Sequence, residues 1–408
     1  MKKTTHSVIS LFSGCGGLDL GITGGFKALN KSVGTSLKTK NSFIQINNRW
    51  LELGKTRFEI KFINDINKYA IRSYKANIPL DEKTIIDQRS IVEIVRDLKK
   101  QENSSLIEGD CDLLLAGFPC QDFSASGSRN GFNSNKTHDN KIPINGKIPA
   151  YLSRGSLYQW MRKVIEITRP KVFIAENVDS IKFLKGVNDK IVSDLSIMAD
   201  SGYEIFVKTL NAADYGIPQF RNRIFFVGYH KEQLKESVKN EIRNFSPFPI
   251  STHKTKAQIN GSNYNEHITA REAFAYLKEP NVISAYGISD QNYYSKASKN
   301  KGKQGQAAIA ENTPSMTVRA NHHGNIEFRR MVEKNGKRQR RLSIRECALL
   351  QSFPPDYNFV IPEKKLPNRY IVSMSEAYKL IGNAVPPLLG YHFAIRLNEI
   401  WNDIFPRQ

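Results

Sequence analysis

An α/β fold is predicted for this 408-residue chain: a doubly wound, mostly parallel sheet with a second, smaller and irregular domain. Three features of the sequence predict it. Short apolar runs alternate with helical stretches as far as about residue 229. Turn residues, Lys, Asn and Gln then replace that alternation through about residue 341, and helical periodicity returns over 342–408. The expected division is therefore 1–229, 230–341 and 342–408.

The first strand is expected over 8–12, where "VISLF" runs into the glycines of "FSGCGG". Further strands are expected over 58–63, 112–116, 171–175 and 223–227, each bounded by Gly, Asn or Pro. Helices are expected over 68–76, 91–100, 157–168 and 189–200, and again within 375–405. The strands are apolar at almost every position rather than at every second one, which predicts helices on both faces of the sheet. In such sheets ligands bind outside the carboxyl ends of the strands. Residues 27–55 and 133–150 are polar and read as insertions or loops, and there is no internal repeat.

Composition narrows the function. The 60 Lys and Arg against 39 Asp and Glu give a formal charge of +21. That excess points to a polyanionic partner, a merely solvated basic surface being the alternative. Residues 231–341 hold 20 basic and 10 acidic side chains, so nearly half of the excess sits in little more than a quarter of the chain. The four cysteines, Cys15, Cys111, Cys120 and Cys347, form no C-x-x-C pair and no Cys/His cluster at ligand spacing. Neither a disulfide framework nor a metal site is expected, and a reducing cytoplasm suits the pattern. Lys2 and Lys3 before an apolar run imitate an export signal, but the run ends at Phe12, short of the roughly 7–15 residues such a core needs. No stretch reaches the ~18 apolar residues of a membrane span.

Chemistry-bearing side chains collect at the predicted strand ends. "LFSGCGGLDLGI" carries three glycines between a strand and a helix, yet Asp19 stands where a dinucleotide fingerprint wants a small residue, which argues against a pyrophosphate seat. Asp65 ends the next strand, placed either to accept both hydroxyls of a ribose or to cap the following helix. Cys120 follows strand 112–116 directly behind Pro119, a position for a nucleophile as much as for a packing residue. Cys111 opens that strand and reads as packing. Glu176 and Asn177 leave the next strand at the same edge, and Arg221 and Arg223, two apart, are expected on one face of the last strand.

Together these segments resemble the DNA (cytosine-5) methyltransferases of bacterial restriction-modification type. The resemblance rests on "FSGCGG", "AGFPCQDFSASG", "RGSLY", "ENV", "QFRNR", "RECALLQSFP" and "IGNAVPP", in family order, and spans nearly the whole chain outside 231–341. It implies an S-adenosylmethionine-dependent methyltransferase fold. The implied reaction moves a methyl group from S-adenosylmethionine, leaving S-adenosylhomocysteine, to carbon 5 of a cytosine flipped out of duplex DNA. By that resemblance Cys120 adds to carbon 6, Glu176 stabilises the N3 side of the ring, and Asn177 belongs to the same catalytic set. Arg223 holds the base carbonyl and the carboxylate, and Arg221 braces the phosphate or the thiol loop. The implied cofactor site comprises Phe12, Ser13, Cys15, Gly16, Gly17, Asp65, Ile66, Ser90, Ile91, Gly117, Pro119, Leu157, Asn383, Ala384 and Val385. Because "IGNAVPP" lies far along the chain, the terminal helical stretch is expected to fold back onto the first domain.

Three features depart from the family pattern. Ser90 stands where an acidic residue usually meets the adenine amino group, Asp65 stands where a Glu usually takes the ribose, and 27–55 has no counterpart. The resemblance makes 230–341 a target-recognition domain. DNA contacts are expected there from Arg319, His322, His323, Arg329 and Arg330, and from Gln121, Ser124, Ser126, Arg129 and Arg154 in the loop 121–154 that closes over the base. Double-stranded DNA is the implied partner, with a restriction endonuclease encoded alongside, and the implied state is a cytoplasmic monomer with neither membrane nor metal. Two rival readings stand beside it. An RNA-directed cytosine-5 methyltransferase is opposed by the long basic segment, and an inactive DNA-binding regulator by the presence of Cys120, Glu176 and Arg223.

Overall fold

Seven strands make the main sheet of the computed structural model: β1 (His6–Leu11), β2 (Phe58–Asn64), β3 (Ile85–Asp87), β4 (Leu113–Gly117), β5 (Val172–Val178), β6 (Tyr203–Asn211) and β7 (Asn222–His230). The residues described are 5–100, 111–119, 157–184, 186–259, 263–277, 281–282, 293–294, 308–320, 329–330, 340–363 and 369–406. The spatial order is β3-β2-β1-β4-β5-β7-β6. The first five strands run parallel, and β7 lies antiparallel between β5 and β6. The chain leaves β1 towards β2 on one side and reaches β4 on the other, so the crevice beyond β1 and β4 is the switch point of the sheet.

Helices α1 (Gly17–Thr23), α2 (Lys68–Asn77), α3 (Ile91–Lys100), α4 (Leu157–Thr168), α5 (Val187–Ser196), α6 (Ile344–Leu350), α7 (Met374–Asn383) and α8 (Pro387–Ile404) surround this sheet. Alternation along β4 and β5 explains their continuous apolar sequence. Leu113, Leu115, Val172 and Ile174 pack on the side of α1, α2 and α8, whereas Leu114, Ala116, Phe173 and Ala175 pack on the side of α3, α4 and α5. Each of the eight is at most 1% exposed. Burying a side chain of this kind contributes roughly 1.5–3 kcal/mol, so both faces of both strands require apolar residues.

All five predicted strands are present, within three residues of their predicted ends. β3 and β6 were not predicted. β3 is three residues long, and β6 is the edge strand, whose "YEIFVKTLN" interrupts its buried positions with exposed Val207 and Lys208.

Helices α1 and α8 approach backbone to backbone. A Cβ on Gly21 would stand 2.1 Å from the carbonyl oxygen of Pro387, and one on Gly390 would stand 2.7 Å from that of Leu18. The last helix of the chain is therefore seated on the first.

The packing runs without a break across residue 230. Ile242, Phe248, Phe274, Ile309 and Val318 belong to the same apolar cluster as Phe225, Tyr229 and Phe393. Among the described residues one apolar cluster thus spans the compositional change near 229. Residues 27–55 form a three-stranded antiparallel sheet of Lys27–Leu29, Trp50–Leu53 and Phe43–Gln45. It leans on the segment around 272–276, where Trp50 meets Tyr276 edge-on at 5.1 Å and Lys31 pairs with Glu272 at 2.7 Å. Among the described residues no helix is long and apolar enough to cross a membrane.

Candidate active site

A cavity of about 270 Å³ opens at the carboxyl ends of β1, β2, β4 and β5. Phe12, Ser13, Cys15, Gly17, Asp65, Ile66, Ser90, Ile91, Gly117, Pro119, Leu157, Asn383, Ala384 and Val385 line it, and so do Glu176 and Arg223. The residues read as cofactor-binding thus share one wall with a carboxyl group and a guanidinium read as catalytic. Gly14, Asp19, Asn64 and Leu380 also line it and were missed in the sequence.

Gly16, between the wall residues Cys15 and Gly17, packs on its Cα side against the protein interior. It begins α1 with φ +80, and a Cβ there would lie 2.4 Å from Ile78 and 2.7 Å from Tyr74. Its missing side chain lets the loop sit against Tyr74 of α2 and Ile78 just beyond it.

The loop from β1 to α1 is held by its backbone. Ser13 N–H donates to the Asn64 carbonyl at 3.0 Å, Gly16 N–H to the Ser13 carbonyl at 2.9 Å, and Gly14 N–H to Asp65 Oδ2 at 2.8 Å. These bonds hold Phe12 at φ +53, a left-handed value that costs a non-glycine residue roughly 1–2 kcal/mol. A Cβ on Gly14 would meet nothing within 4 Å, so the backbone there faces open space.

Asp65 also accepts from Asn67 N–H at 2.7 Å. The cap of α2 is Asn67, whose side chain accepts from Tyr69 N–H, and Asp65 is left to the cavity. Each of its oxygens takes one amide and keeps a further lone pair for a hydroxyl donor. Burial raises its pKa above the usual carboxylate range, opposed by the two amide hydrogen bonds. Asp19, almost fully buried, accepts from Ser10 Oγ at 2.8 Å and from the Tyr74 hydroxyl at 3.0 Å, and burial pushes its pKa up to about 6. Cys15 is a buried wall residue: burial pushes its thiol up to about 12, which disfavours the reactive thiolate form. The Ser90 hydroxyl accepts from Val92 N–H at 3.3 Å at the start of α3, and its own N–H donates to Glu93 at 3.0 Å.

Register brings the catalytic candidates together. Gly117 on β4 pairs with Glu176 on β5, and Arg223 on β7 pairs with Val178. Arg223 Nε lies 2.9 Å from Glu176 Oε1, with the two side chains 14% and 10% exposed. Burial raises the pKa of Glu176, while the charges of Arg223 and Arg221 pull it back. Asn177 is wholly buried; its Nδ2 donates to the Phe118 carbonyl at 3.2 Å and its Oδ1 accepts from Val178 N–H at 2.8 Å.

Arg221 is a buried brace. It is 1% exposed, and its terminal nitrogens donate to the carbonyls of Val318 at 3.0 Å, Gly382 at 3.0 Å and Ala384 at 2.9 Å. Such burial leaves a DNA phosphate no access, and among the described residues Arg221 braces the start of β7 against residue 318 and the end of α7; the thiol loop, the other partner expected of it, lies outside the described residues. Gln219 works beside it. Its amide donates to the Leu350 carbonyl at 3.0 Å and to Gln351 at 3.1 Å and accepts from Val318 N–H at 2.8 Å, while Gln351 donates to the Ile381 carbonyl at 2.7 Å. The sequence reading missed both glutamines, although "QFRNR" and "RECALLQSFP" contain them.

Cys120, Gln121, Ser124, Ser126, Arg129, Arg154, His322 and His323 lie outside the described residues. Cys111 is buried against the Leu113 carbonyl, and burial raises its pKa. Arg319 is exposed, and Arg329–Arg330 form a short strand between Ala308–Ile309 and Arg340–Arg341.

The family model described as C-5 cytosine-specific DNA methylase matches residues 6–399. The Type II methyltransferase M.FnuDI of Fusobacterium nucleatum is 29% identical over 97% of this chain and 95% of its own length. The Type II methyltransferase M.NgoPII of Neisseria gonorrhoeae is 27% identical over 98% of each. Among solved structures, the Dnmt2 methyltransferase of S. pombe superposes with a TM-score of 0.54 over 97% of this chain and 99% of that one. At 16% identity this is a likeness of fold.

Proposed function

Because the chain belongs to the C-5 cytosine-specific DNA methylase family, and is a DNA (cytosine-5) methyltransferase of Type II restriction-modification kind, we propose that it methylates a cytosine flipped out of duplex DNA, using S-adenosylmethionine and a covalent bond to Cys120. One observation carries this reading. The Glu176–Arg223 pair and the glycine loop with Asp65 line the same cavity.

The wall suits that cofactor. Asp65 has lone pairs for two ribose hydroxyls, Gly14 leaves room for close approach, and Phe12, Ile66, Ile91 and Leu157 supply apolar surface for an adenine ring. S-adenosylmethionine, when bound, supplies an electrophilic methyl group on its sulfonium. Loss of that methyl group would leave S-adenosylhomocysteine.

Carbon 5 of cytosine is too electron-poor to accept a methyl group unaided. Addition of the Cys120 thiolate to carbon 6 makes carbon 5 nucleophilic. Glu176, its protonated share increased by burial, donates towards N3 and stabilises the charge that develops on the ring. Arg223 fixes the orientation of the Glu176 carboxyl, and Asn177 fixes the chain at Phe118 before it turns to Pro119 and Cys120. Once carbon 5 is methylated, its proton is lost and the thiolate departs. A base stacked in a duplex cannot reach this pocket, so it must be extruded, with residues 121–154 closing over it.

In this reading residues 230–341 select the target, through their basic excess and exposed groups such as Arg319. The enzyme acts as a cytoplasmic monomer on double-stranded DNA, beside a restriction endonuclease of the same specificity. Transfer of tritium from labelled S-adenosylmethionine tests the whole reading. Incorporation into duplex DNA, with a denaturation-resistant adduct on 5-fluorocytosine duplex, supports it; incorporation into tRNA alone, or DNA methylation without an adduct, overturns it.

A further inference from the structure

Residues 218–222 and 315–317 lie side by side at the carboxyl edge of the sheet. Ser315 N–H donates to the Pro218 carbonyl at 3.0 Å and Phe220 N–H to the Ser315 carbonyl at 2.8 Å, which sets Gln219 opposite Ser315 in parallel register. One step on, Phe220 stands opposite Met316, and Thr317 Oγ1 donates to the Phe220 carbonyl at 2.7 Å. Side chains alternate along such a pair. Gln219 and Ser315 point inwards and are at most 1% exposed, so Phe220 and Met316 leave the opposite face together, 39% and 37% exposed. Arg221 turns inwards again, Asn222 is exposed, and Arg223 reaches Glu176.

A phenyl ring and a thioether paired outwards, three residues from the catalytic arginine, do not suit a surface that meets only phosphates. Their exposed neighbours Asn222 and Arg319 are polar. Nor do they close a core. Among the described residues the one ring contact of Phe220 is His267, edge-on at 5.9 Å. Phe220 is nonetheless held by both its N–H and its carbonyl, between two wholly buried residues.

We propose that Phe220 and Met316 form an apolar platform for the target strand, packing against the nucleoside that adjoins the flipped cytosine. This rests on the base-flipping reading above. Extrusion of a base bares the face of its neighbour at a cost of unstacking. An aromatic or apolar surface covers such a face whatever the base, since every base presents a π-face. The pair has no strong donor or acceptor with which to read sequence, so it stabilises the extruded state for every target alike. It is a positioning element: it never touches the reacting carbon.

The test uses Phe220→Ala, Phe220→Leu and Met316→Ala in the full chain, on two duplexes. In one the target cytosine faces guanine; in the other it faces an abasic site, which makes extrusion cheap. Methylation rate is measured on these duplexes, and fluorescence on matching duplexes that carry 2-aminopurine in place of the target cytosine. Phe220→Ala should lose about tenfold or more on the paired duplex, with a weaker fluorescence rise. Phe220→Leu and Met316→Ala should lose less, and the abasic duplex should restore all three to near the wild-type rate. Thermal unfolding and S-adenosylmethionine affinity should match the wild type. Equal loss on both duplexes, or loss on neither, overturns the platform. A wild-type enzyme that methylates DNA with no fluorescence rise overturns the flipping reading itself, and the platform with it.

Discussion

Asn177 donates its side-chain N–H to the carbonyl oxygen of Phe118 at 3.2 Å and thereby ties the exit of β4 to the exit of β5. Phe118 is followed by Pro119 and Cys120, so this bond sets where the thiol loop departs. Asn177→Ala leaves that carbonyl without its donor, and Asn177→Asp turns an oxygen against it. A buried unsatisfied group costs ~1–3 kcal/mol. The expected result is slower trapping of 5-fluorocytosine DNA, worse for Asp than for Ala, with DNA affinity by filter binding nearly unchanged.

Glu176→Gln keeps the shape of the side chain and removes its acid. Turnover should fall by roughly the 10²–10⁴-fold typical of general acid–base groups, while DNA binding holds. The pKa of Glu176 is raised, so its protonated form persists to higher pH than an ordinary carboxyl and is lost as pH rises through that value. The wild-type pH–rate profile should therefore show an alkaline decline that the Gln variant lacks, read from initial rates across a pH series.

The thiols differ by position. Cys120→Ser should form no denaturation-resistant complex with 5-fluorocytosine duplex, whereas Cys111→Ser, altering a buried thiol beside Leu113, should trap as the wild type does. Electrophoresis under denaturing conditions distinguishes them. A trapped complex with Cys120→Ser would remove the nucleophile assignment.

Arg221 serves three carbonyls from a buried position, two of them on the segment that closes the cavity. Arg221→Met strips those carbonyls of their donor and should cost about 3 kcal/mol of stability, hydrogen bonds to charged groups contributing ~1.5–3 kcal/mol. Urea denaturation gives the stability. Calorimetry should show weaker S-adenosylmethionine binding, because Ala384 is a wall residue.

Asp19 links stability to pH. Its folded pKa is raised from 3.8 to about 6 by burial. Below about pH 4 its contribution is fully present, and it is lost as pH rises through 6 because ionising a buried carboxyl is unfavourable. Two units correspond to about 3 kcal/mol. Asp19→Asn should flatten the dependence of the urea midpoint between pH 4 and 6 and leave the slope outside that window.

The legibility of these features follows their physics. β1, β2, β4, β5 and β7 stand out because two-sided burial forces long apolar runs. β6 is obscured because an edge strand keeps Lys208 and Glu204. The cavity wall is readable from the glycines, Asp65 and the strand ends, since those residue types are needed where a chain turns towards a ligand. At Gly16 the sequence is ambiguous, because a glycine required for close packing on Tyr74 looks the same as one required by a ligand. Arg221 is ambiguous for a related reason. A charged residue in sequence suggests solvent or a phosphate, and only the fold reveals three carbonyls converging on it. The Gln219–Gln351 bond joins segments far apart along the chain, and no local pattern announces it.

The seating of α8 on α1 has a consequence for biosynthesis. A ribosome has delivered β1 to β7, with Glu176 and Arg223, well before it reaches Leu380, Gly382 and Val385. Until those residues emerge, the cavity lacks one wall, and Gly17 and Gly21 await the carbonyls of Val385 and Pro387. An unfinished polypeptide thus carries the reactive groups without the enclosure that makes them useful. Chains cut short before Leu380 should be inert, and activity should begin only once residues 380–387 have joined the fold.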